Sequence, residues 1–147
     1  MDFVTVVKKK YHKHQKKDEL DVPYDVLVSG LQDIFSKYCV EAIIIFGSRA
    51  KKLNKASSDI DIMTFWKKSF MLTQEQAEEL GEKIVKKFNL HLDMVMMQYN
   101  PKATCDTDHM IDEVFMDNVN EEGIVILGKE SKTHYIYSSV KKYKVKL

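Results

Sequence analysis

Two aspartates separated by one residue, Asp59 and Asp61, are the side chains of this sequence best suited to chemistry. They open an apolar stretch that reads as a β-strand, so both carboxylates project to one face while Ile60 and Ile62 point to the other. Two carboxylates this close repel each other and raise a pKa unless a positive group lies between them. Oxygen ligands with no Cys or His nearby in sequence favour Mg²⁺ or Mn²⁺ over Zn²⁺. The pair therefore predicts a divalent-metal site.

A third carboxylate, Asp93, interrupts an otherwise apolar run at 90–97. If this run is a strand beside 59–65, Asp93 reaches the same edge of the sheet as Asp59 and Asp61. Three carboxylates on adjacent strands can hold two metal ions, which clamp the attacking and leaving oxygens of an in-line phosphoryl displacement. We therefore expect all three aspartates to be catalytic residues and metal ligands.

A Gly-Ser turn supplies the complementary half of such a site. Gly47 and Ser48 follow an apolar run at 42–46, and glycine lets the backbone approach phosphates closely. Amides at a helix N-terminus favour anions, and the Ser48 hydroxyl adds a donor. Arg49, the single arginine against 22 lysines, offers a planar fork that matches phosphate oxygens. No Gly-Lys-Ser/Thr follows the strand, so this is not a Walker loop.

The elements that must position these residues follow from hydrophobic periodicity. Asp21 is the expected N-cap of a first helix, with Pro23 in its first turn. Thr73 and Gln76 form a capping box at the start of another helix. The predicted order is helix, strand, strand, helix, strand, helix, strand, over 21–38, 41–46, 59–65, 73–89, 90–97, 108–118 and 124–127. This order predicts an α/β (α+β) fold, a small mixed sheet covered by helices.

The length of 147 residues predicts a single folded domain over 21–128, with a basic arm at 1–20 and a basic tail or edge strand at 129–147. No apolar run approaches 18 residues, so no membrane span is expected, and the first residues lack the pattern of a signal peptide. Cys39 and Cys105 form neither a metal-like spacing nor a disulfide framework, which favours a reducing, cytoplasmic setting.

Lysines are concentrated at the two ends of the chain. Residues 1–17 hold six lysines against one acid, and residues 129–147 again hold six against one, yet the whole chain carries only +1. Basic ends on an acidic body indicate an anionic partner, either nucleic acid or an acidic protein face. Solvated ends that only keep the chain soluble would give the same pattern.

The run from Phe46-Gly-Ser-Arg-Ala to Ser58-Asp-Ile-Asp61 resembles the signature of the DNA polymerase beta-like nucleotidyltransferases. The nearest likeness is to the minimal nucleotidyltransferases, which include small antitoxin-type proteins paired with HEPN toxins. Asp93 stands where that group has its third acid, and Glu122-Gly-Ile-Val-Ile-Leu127 is similar to its closing segment. The resemblance covers about residues 22–128. One departure is Lys51-Lys52, where the family usually has Arg-Gly.

This resemblance implies transfer of a nucleoside monophosphate, with AMP expected, from an NTP to an acceptor as pyrophosphate leaves. Asp59, Asp61 and Asp93 would bind Mg²⁺ or Mn²⁺, and Asp93 would also help to deprotonate the acceptor. The nucleotide-binding residues would be Gly47, Ser48, Arg49 and Ser58, with ATP as the expected co-substrate.

Three kinds of function are compatible with the sequence. The leading hypothesis is an active nucleotidyltransferase whose acceptor is macromolecular, either a hydroxyl of a HEPN-toxin-like partner protein or an RNA end. The alternative is an antitoxin-like binding module that neutralises a partner by contact, with little or no catalysis. A small-molecule modifying enzyme usually needs an added helical domain, which this length excludes unless a homo-oligomer such as a homodimer supplies it.

Overall fold

The computed structural model describes residues 3–7, 9–10, 21–67, 70, 72–98, 113–128, 133–137 and 142–146. The helices are α1 (Tyr24–Phe35), α2 (Gly47–Lys51), α3 (Gln74–Phe88) and α4 (Glu113–Glu122). The strands are β1 (Phe3–Val7), β2 (Lys9–Lys10), β3 (Val40–Phe46), β4 (Ile60–Trp66), β5 (Leu92–Gln98), β6 (Ile124–Leu127), β7 (Thr133–Tyr137) and β8 (Lys142–Lys146).

The central sheet has five strands in the order β2-β6-β3-β4-β5. Strand β3 is antiparallel to both β4 and β6, whereas β5 is parallel to β4 and β2 is parallel to β6. A second, three-stranded sheet has the order β1-β8-β7. The sheet is mixed and helices cover it, which confirms the predicted fold class.

Strand alternation divides the core between the two faces of the central sheet. Ile60 and Ile62 of β4 point away from the Asp61 face, as predicted, and pack with Leu31 of α1 and Ile84 of α3. Met63 and Phe65 point to the other face and pack with Met116 and Val119 of α4. Asp61 is two residues before Met63 in the strand, so its side chain points to the same face of the sheet, the one that α4 covers.

The first helix begins differently from the prediction. Helix α1 starts at Tyr24, Pro23 occupies its N-cap position, and no side-chain cap bond is made there. Asp21 lies two residues before the N-cap position, and its carboxylate accepts hydrogen bonds from the backbone N–H of Val22 and from the Arg49 guanidinium instead. The prediction of an Asp21 N-cap was therefore wrong, because a partner distant in sequence takes that carboxylate.

The predicted capping box of α3 is confirmed. The Gln76 N–H donates to the Thr73 hydroxyl at 3.1 Å, and the Thr73 N–H donates to Gln76 Oε1 at 2.9 Å. The helix ends where Asn89 adopts the left-handed conformation with φ +54°. Leu80, Ile84 and Phe88 of this helix pack in the core that α3 shares with α1 and the sheet.

Helix α4 ends later than predicted. Its described part begins at Glu113, so the predicted start near residue 108 lies outside the described residues, as do Cys105 and the side chains of Ile111, Val114 and Phe115. The helix continues four residues past the predicted end, to Glu122. Within the described part of the chain, no helix is long and apolar enough to cross a membrane.

Candidate active site

Asp61 and Asp93 are register partners across the parallel strands β4 and β5. On the other side of β4, Asp61 is paired with Phe46, the last residue of β3 before the Gly-Ser turn. The backbone N–H of Ile60 donates to the His91 carbonyl at 2.9 Å and ties the starts of the two strands together. The prediction that Asp93 reaches the edge that carries Asp61 is confirmed.

The carboxylates around Asp61 interact electrostatically. Burial, together with the negative charges of Asp93, Asp59 and Glu122, raises the pKa of Asp61 to about 6. Asp59 precedes β4 and is exposed, and Asp93 is exposed as well. The repulsion predicted from the Asp-x-Asp spacing is therefore present, and Asp61 is its centre.

The same side chains do not form a ready-made coordination shell. Among the described residues, no group of three or more His, Cys, Asp or Glu side chains stands in an arrangement that could hold a metal ion. Charges interact over longer distances than a metal–oxygen bond spans. The raised pKa of Asp61 is therefore compatible with the absence of a preformed metal site among the described residues. The metal role of the three aspartates stays a prediction.

Gly47 is required at its position for two reasons. Its φ is +75°, in the left-handed region that favours glycine. A Cβ built on Gly47 would collide with Asp61 Oδ2 and would lie 3.1 Å from Asp61 Cγ. The glycine therefore lets the turn lie directly against the carboxylate at the centre of the site.

Glu122 is a member of this cluster whose position sequence reasoning did not predict. The Gly47 N–H donates to Glu122 Oε1 at 2.7 Å, and Lys51 Nζ lies 2.7 Å from Glu122 Oε2. The hydrogen bond to Glu122 and its negative charge raise the pKa of Lys51. Two acidic residues at the end of a helix were the available signal, since such residues are unfavourable there.

Arg49 lies differently from the prediction that its fork faces phosphate. The residue is only 2% exposed. Its Nε donates to the Ser58 carbonyl at 2.9 Å, one terminal nitrogen donates to the Ala56 carbonyl at 3.2 Å, and the other pairs with Asp21 at 3.1 Å. Each guanidinium nitrogen is thus engaged within the protein, and Arg49 ties α2 to the loop that leads into β4.

Ser48 and Ser58 lie in the two segments that Arg49 connects, Ser48 in α2 and Ser58 in the loop before β4. Ser48 is half-buried in the first turn of α2, and its carbonyl accepts a hydrogen bond from the Leu53 N–H at 3.0 Å. The Ser58 hydroxyl accepts a hydrogen bond from the Lys55 N–H at 2.9 Å. Ser58 therefore shapes the loop before Asp59, while Ser48 stands at the turn itself.

Lys52 shows how the chain accommodates the departure from Arg-Gly. Lys52 has φ +61° and ψ +32°, the left-handed conformation that glycine adopts most easily. Its Nζ lies 4.8 Å from the centre of the Tyr24 ring, in a cation–π contact. The backbone thus takes a glycine-like conformation with a lysine side chain.

The sequence matches the family described as polymerase beta, nucleotidyltransferase, over residues 30–132. The chain belongs to this family. The matched region contains the Gly-Ser turn, the three aspartates and Glu122, and it confirms the resemblance inferred from the sequence. This protein is a nucleotidyltransferase.

Several solved structures are similar to this nucleotidyltransferase at low sequence identity. A toxin–antitoxin with AMP-PNP matches with a TM-score of 0.52 and 18% identity, over 70% of this chain and 74% of the other. The toxin–antitoxin MntA-HepT matches with a TM-score of 0.46 and 17% identity, over 71% and 73%. A tri-AMPylated Shewanella oneidensis HEPN toxin in complex with MNT antitoxin matches with a TM-score of 0.42 and 19% identity, over 72% and 70%. None of the curated proteins matches this sequence.

Proposed function

We propose that this nucleotidyltransferase moves AMP from ATP to a hydroxyl of a partner protein and releases pyrophosphate, with Mg²⁺ bound by Asp59, Asp61 and Asp93. The observation that supports it most is the register pair Asp61–Asp93 lying beside the Gly47–Ser48 turn. A carboxylate cluster and a phosphate-binding turn in contact are the two halves that a nucleotidyl transfer requires.

The residues fit a divalent metal chemically. Burial and the neighbouring carboxylates raise the pKa of Asp61 to about 6, so near neutral pH a positive group would stabilise the cluster. The donors available are carboxylate oxygens, which hard cations such as Mg²⁺ prefer. The metal would neutralise the triphosphate and the developing charge of the leaving pyrophosphate.

The roles of the chain's own residues follow from where they lie. Ser48 would donate to the triphosphate, with the close approach made possible by Gly47. Asp93 is exposed on the outer strand of the pair and would accept the proton of the acceptor hydroxyl. The acceptor oxygen then bonds to the α-phosphorus, and the bond from that phosphorus to pyrophosphate breaks.

A protein acceptor and an adenine nucleotide are supported by a fold likeness. The structure that shares the fold with a TM-score of 0.52 is a toxin–antitoxin with AMP-PNP, an ATP analogue. The basic ends of the chain, each with six lysines against one acid, would assist binding to an acidic face of such a partner. An RNA end is the competing acceptor, and neutralisation by contact alone is the competing function.

Label transfer separates these possibilities. The full chain is incubated with Mg²⁺ and each α-³²P-labelled NTP in turn, with total cell protein or total RNA as the acceptor. Protein labelled from ATP is expected, and the label should be lost with the Asp59→Asn variant. Label on RNA would show that the acceptor is RNA and not a protein. No label with any nucleotide or acceptor would contradict the proposal that the protein is an active enzyme.

A further inference from the structure

The end of α4 breaks a local rule of helix stability. Its last two residues, Glu121 and Glu122, are both acidic, and its last turn has no basic residue. Acidic residues at a helix C-terminus interact unfavourably with the helix dipole and so destabilise the helix. A position that breaks a local rule in this way often serves a function.

The Glu122 side chain lies against the Gly-Ser turn and is largely shielded from solvent. It is 9% exposed, whereas Glu121 on the same helix end is exposed. One carboxylate oxygen accepts the Gly47 N–H at 2.7 Å and the other binds Lys51 at 2.7 Å. Gly47 and Lys51 are the first and last residues of α2, so one carboxylate holds both ends of that helix.

Helix α2 needs such support. Its five residues are far fewer than an isolated helix needs to be stable in water. A hydrogen bond from an amide to an ionised carboxylate is stronger than one between neutral groups. Because Gly47 also lies against Asp61, any shift of the turn changes the distance between Ser48 and the aspartates.

We propose that Glu122 is a positioning residue of the nucleotidyl-transfer site, which fixes the Gly47–Ser48 turn against Asp61 by holding α2 at both ends. This inference rests on the proposed function for its effect on rate. It also assigns a role to Lys51, whose ammonium lies 2.7 Å from the second Glu122 oxygen and so connects that carboxylate to the last residue of α2.

The test compares Glu122→Ala and Glu122→Gln with the matched control Glu121→Ala. All three changes remove an acid from the end of α4, but only those at residue 122 touch the turn. Measurements are kcat and KM for ATP in label transfer, and the exchange rate of the Gly47 amide proton followed by NMR. The glutamine variant keeps an oxygen acceptor for Gly47 and so serves as the conservative rescue.

We expect Glu122→Ala to lower kcat about 10- to 100-fold, the size of effect that a misplaced catalytic group produces. Its Gly47 amide should exchange faster, while Glu122→Gln recovers most of both quantities and Glu121→Ala matches the wild type. A Gly47 amide that exchanges equally in Glu122→Ala and Glu121→Ala would overturn the inference, and so would equal kcat values. If Glu122→Ala does not fold, Glu122→Gln must retain slow Gly47 exchange, or the inference fails.

The two proposals can fail separately. If the wild type transfers no label to any acceptor, the proposed function fails. The Gly47 amide still reports whether Glu122 holds the turn, because hydrogen exchange requires no turnover.

Discussion

Asp61 of β4 and Asp93 of β5 occupy paired positions of two parallel strands, 32 residues apart in the chain. Asp61 is also in contact with Gly47, the residue at which β3 turns into α2. Three neighbouring strands thus deliver their functional residues to one edge of the sheet. Substitutions at these and neighbouring positions should therefore change stability or activity by amounts that can be measured.

Ionisation of Asp61 should weaken the metal-free protein as the pH rises. The folded state raises the pKa of Asp61 from 3.8 to about 6, so the folded state binds the proton more tightly than the unfolded state does. The stability from that proton is fully present below pH 3.8 and is lost as the pH rises through about 6. In EDTA, Asp61→Asn should be more stable than the wild type at pH 7.5, with a smaller difference at pH 4.

Urea denaturation at both pH values measures this difference. Asp33→Asn, which removes an exposed carboxyl group on α1, is the matched control for the loss of one acid. An Asp61→Asn variant less stable than the wild type at pH 7.5 would show that the carboxylate is not held in an unfavourable environment.

Replacement of Gly47 by alanine should cost both stability and activity. The left-handed φ and the collision of a Cβ with Asp61 should together destabilise the fold by about 1–3 kcal/mol. Gly81, inside α3, is the matched control, because a Cβ there meets nothing within 4 Å. Gly81→Ala should stabilise by about 0.5–1 kcal/mol, as alanine favours a helix. Chemical denaturation compares the two, and equal effects would contradict the assigned role of Gly47.

Relief of the backbone strain at Lys52 should be visible as a gain in stability. Lys52→Gly and Lys52→Ala both lose the cation–π contact with Tyr24, but only glycine adopts φ +61° without a steric penalty. Lys52→Gly should therefore be more stable than Lys52→Ala by about 1 kcal/mol. Thermal unfolding of the two variants measures this difference. If Lys52→Ala is at least as stable as Lys52→Gly, the backbone at residue 52 is not strained.

Loss of Arg49 should destabilise the fold strongly. Arg49→Met leaves the half-buried Asp21 carboxylate without its cation, and breaking a buried ion pair costs about 3–5 kcal/mol. Arg49→Lys keeps the charge but cannot reach three acceptors at once, so it should restore only part of the loss. Lys55→Met, which removes an exposed cation from the same loop, is the control for urea unfolding. An Arg49→Met variant as stable as the wild type would show that the contacts of Arg49 with Asp21 and the loop before β4 do not stabilise the fold.

Much of the fold could be predicted because its signals are local. The alternation of Ile60 and Ile62 with Asp61 gave the two faces of β4, and the Thr73 capping box gave the start of α3. The position of Asp93 followed from an acid interrupting an apolar strand. These features are each contained within one element.

The remaining features depend on contacts between distant segments. Arg49 and Asp21 are 28 residues apart, and Gly47 and Glu122 are 75 residues apart. No periodicity encodes such a pair, so Arg49 was expected to face phosphate and Glu122 was not expected at the turn. The left-handed conformation of Lys52 could not be predicted from the sequence either, because lysine seldom adopts it.

The most direct test of the central claim is the rate of Mg²⁺-dependent label transfer from α-³²P-ATP by Asp61→Asn, with Asp59→Asn beside it and Asp33→Asn as the control. The account predicts that both site variants fold but lose transfer, because asparagine removes a metal-binding charge and relieves repulsion at the same time. Asp33→Asn should transfer at the wild-type rate. Unchanged transfer by both site variants would contradict the assignment of these carboxylates as the catalytic centre.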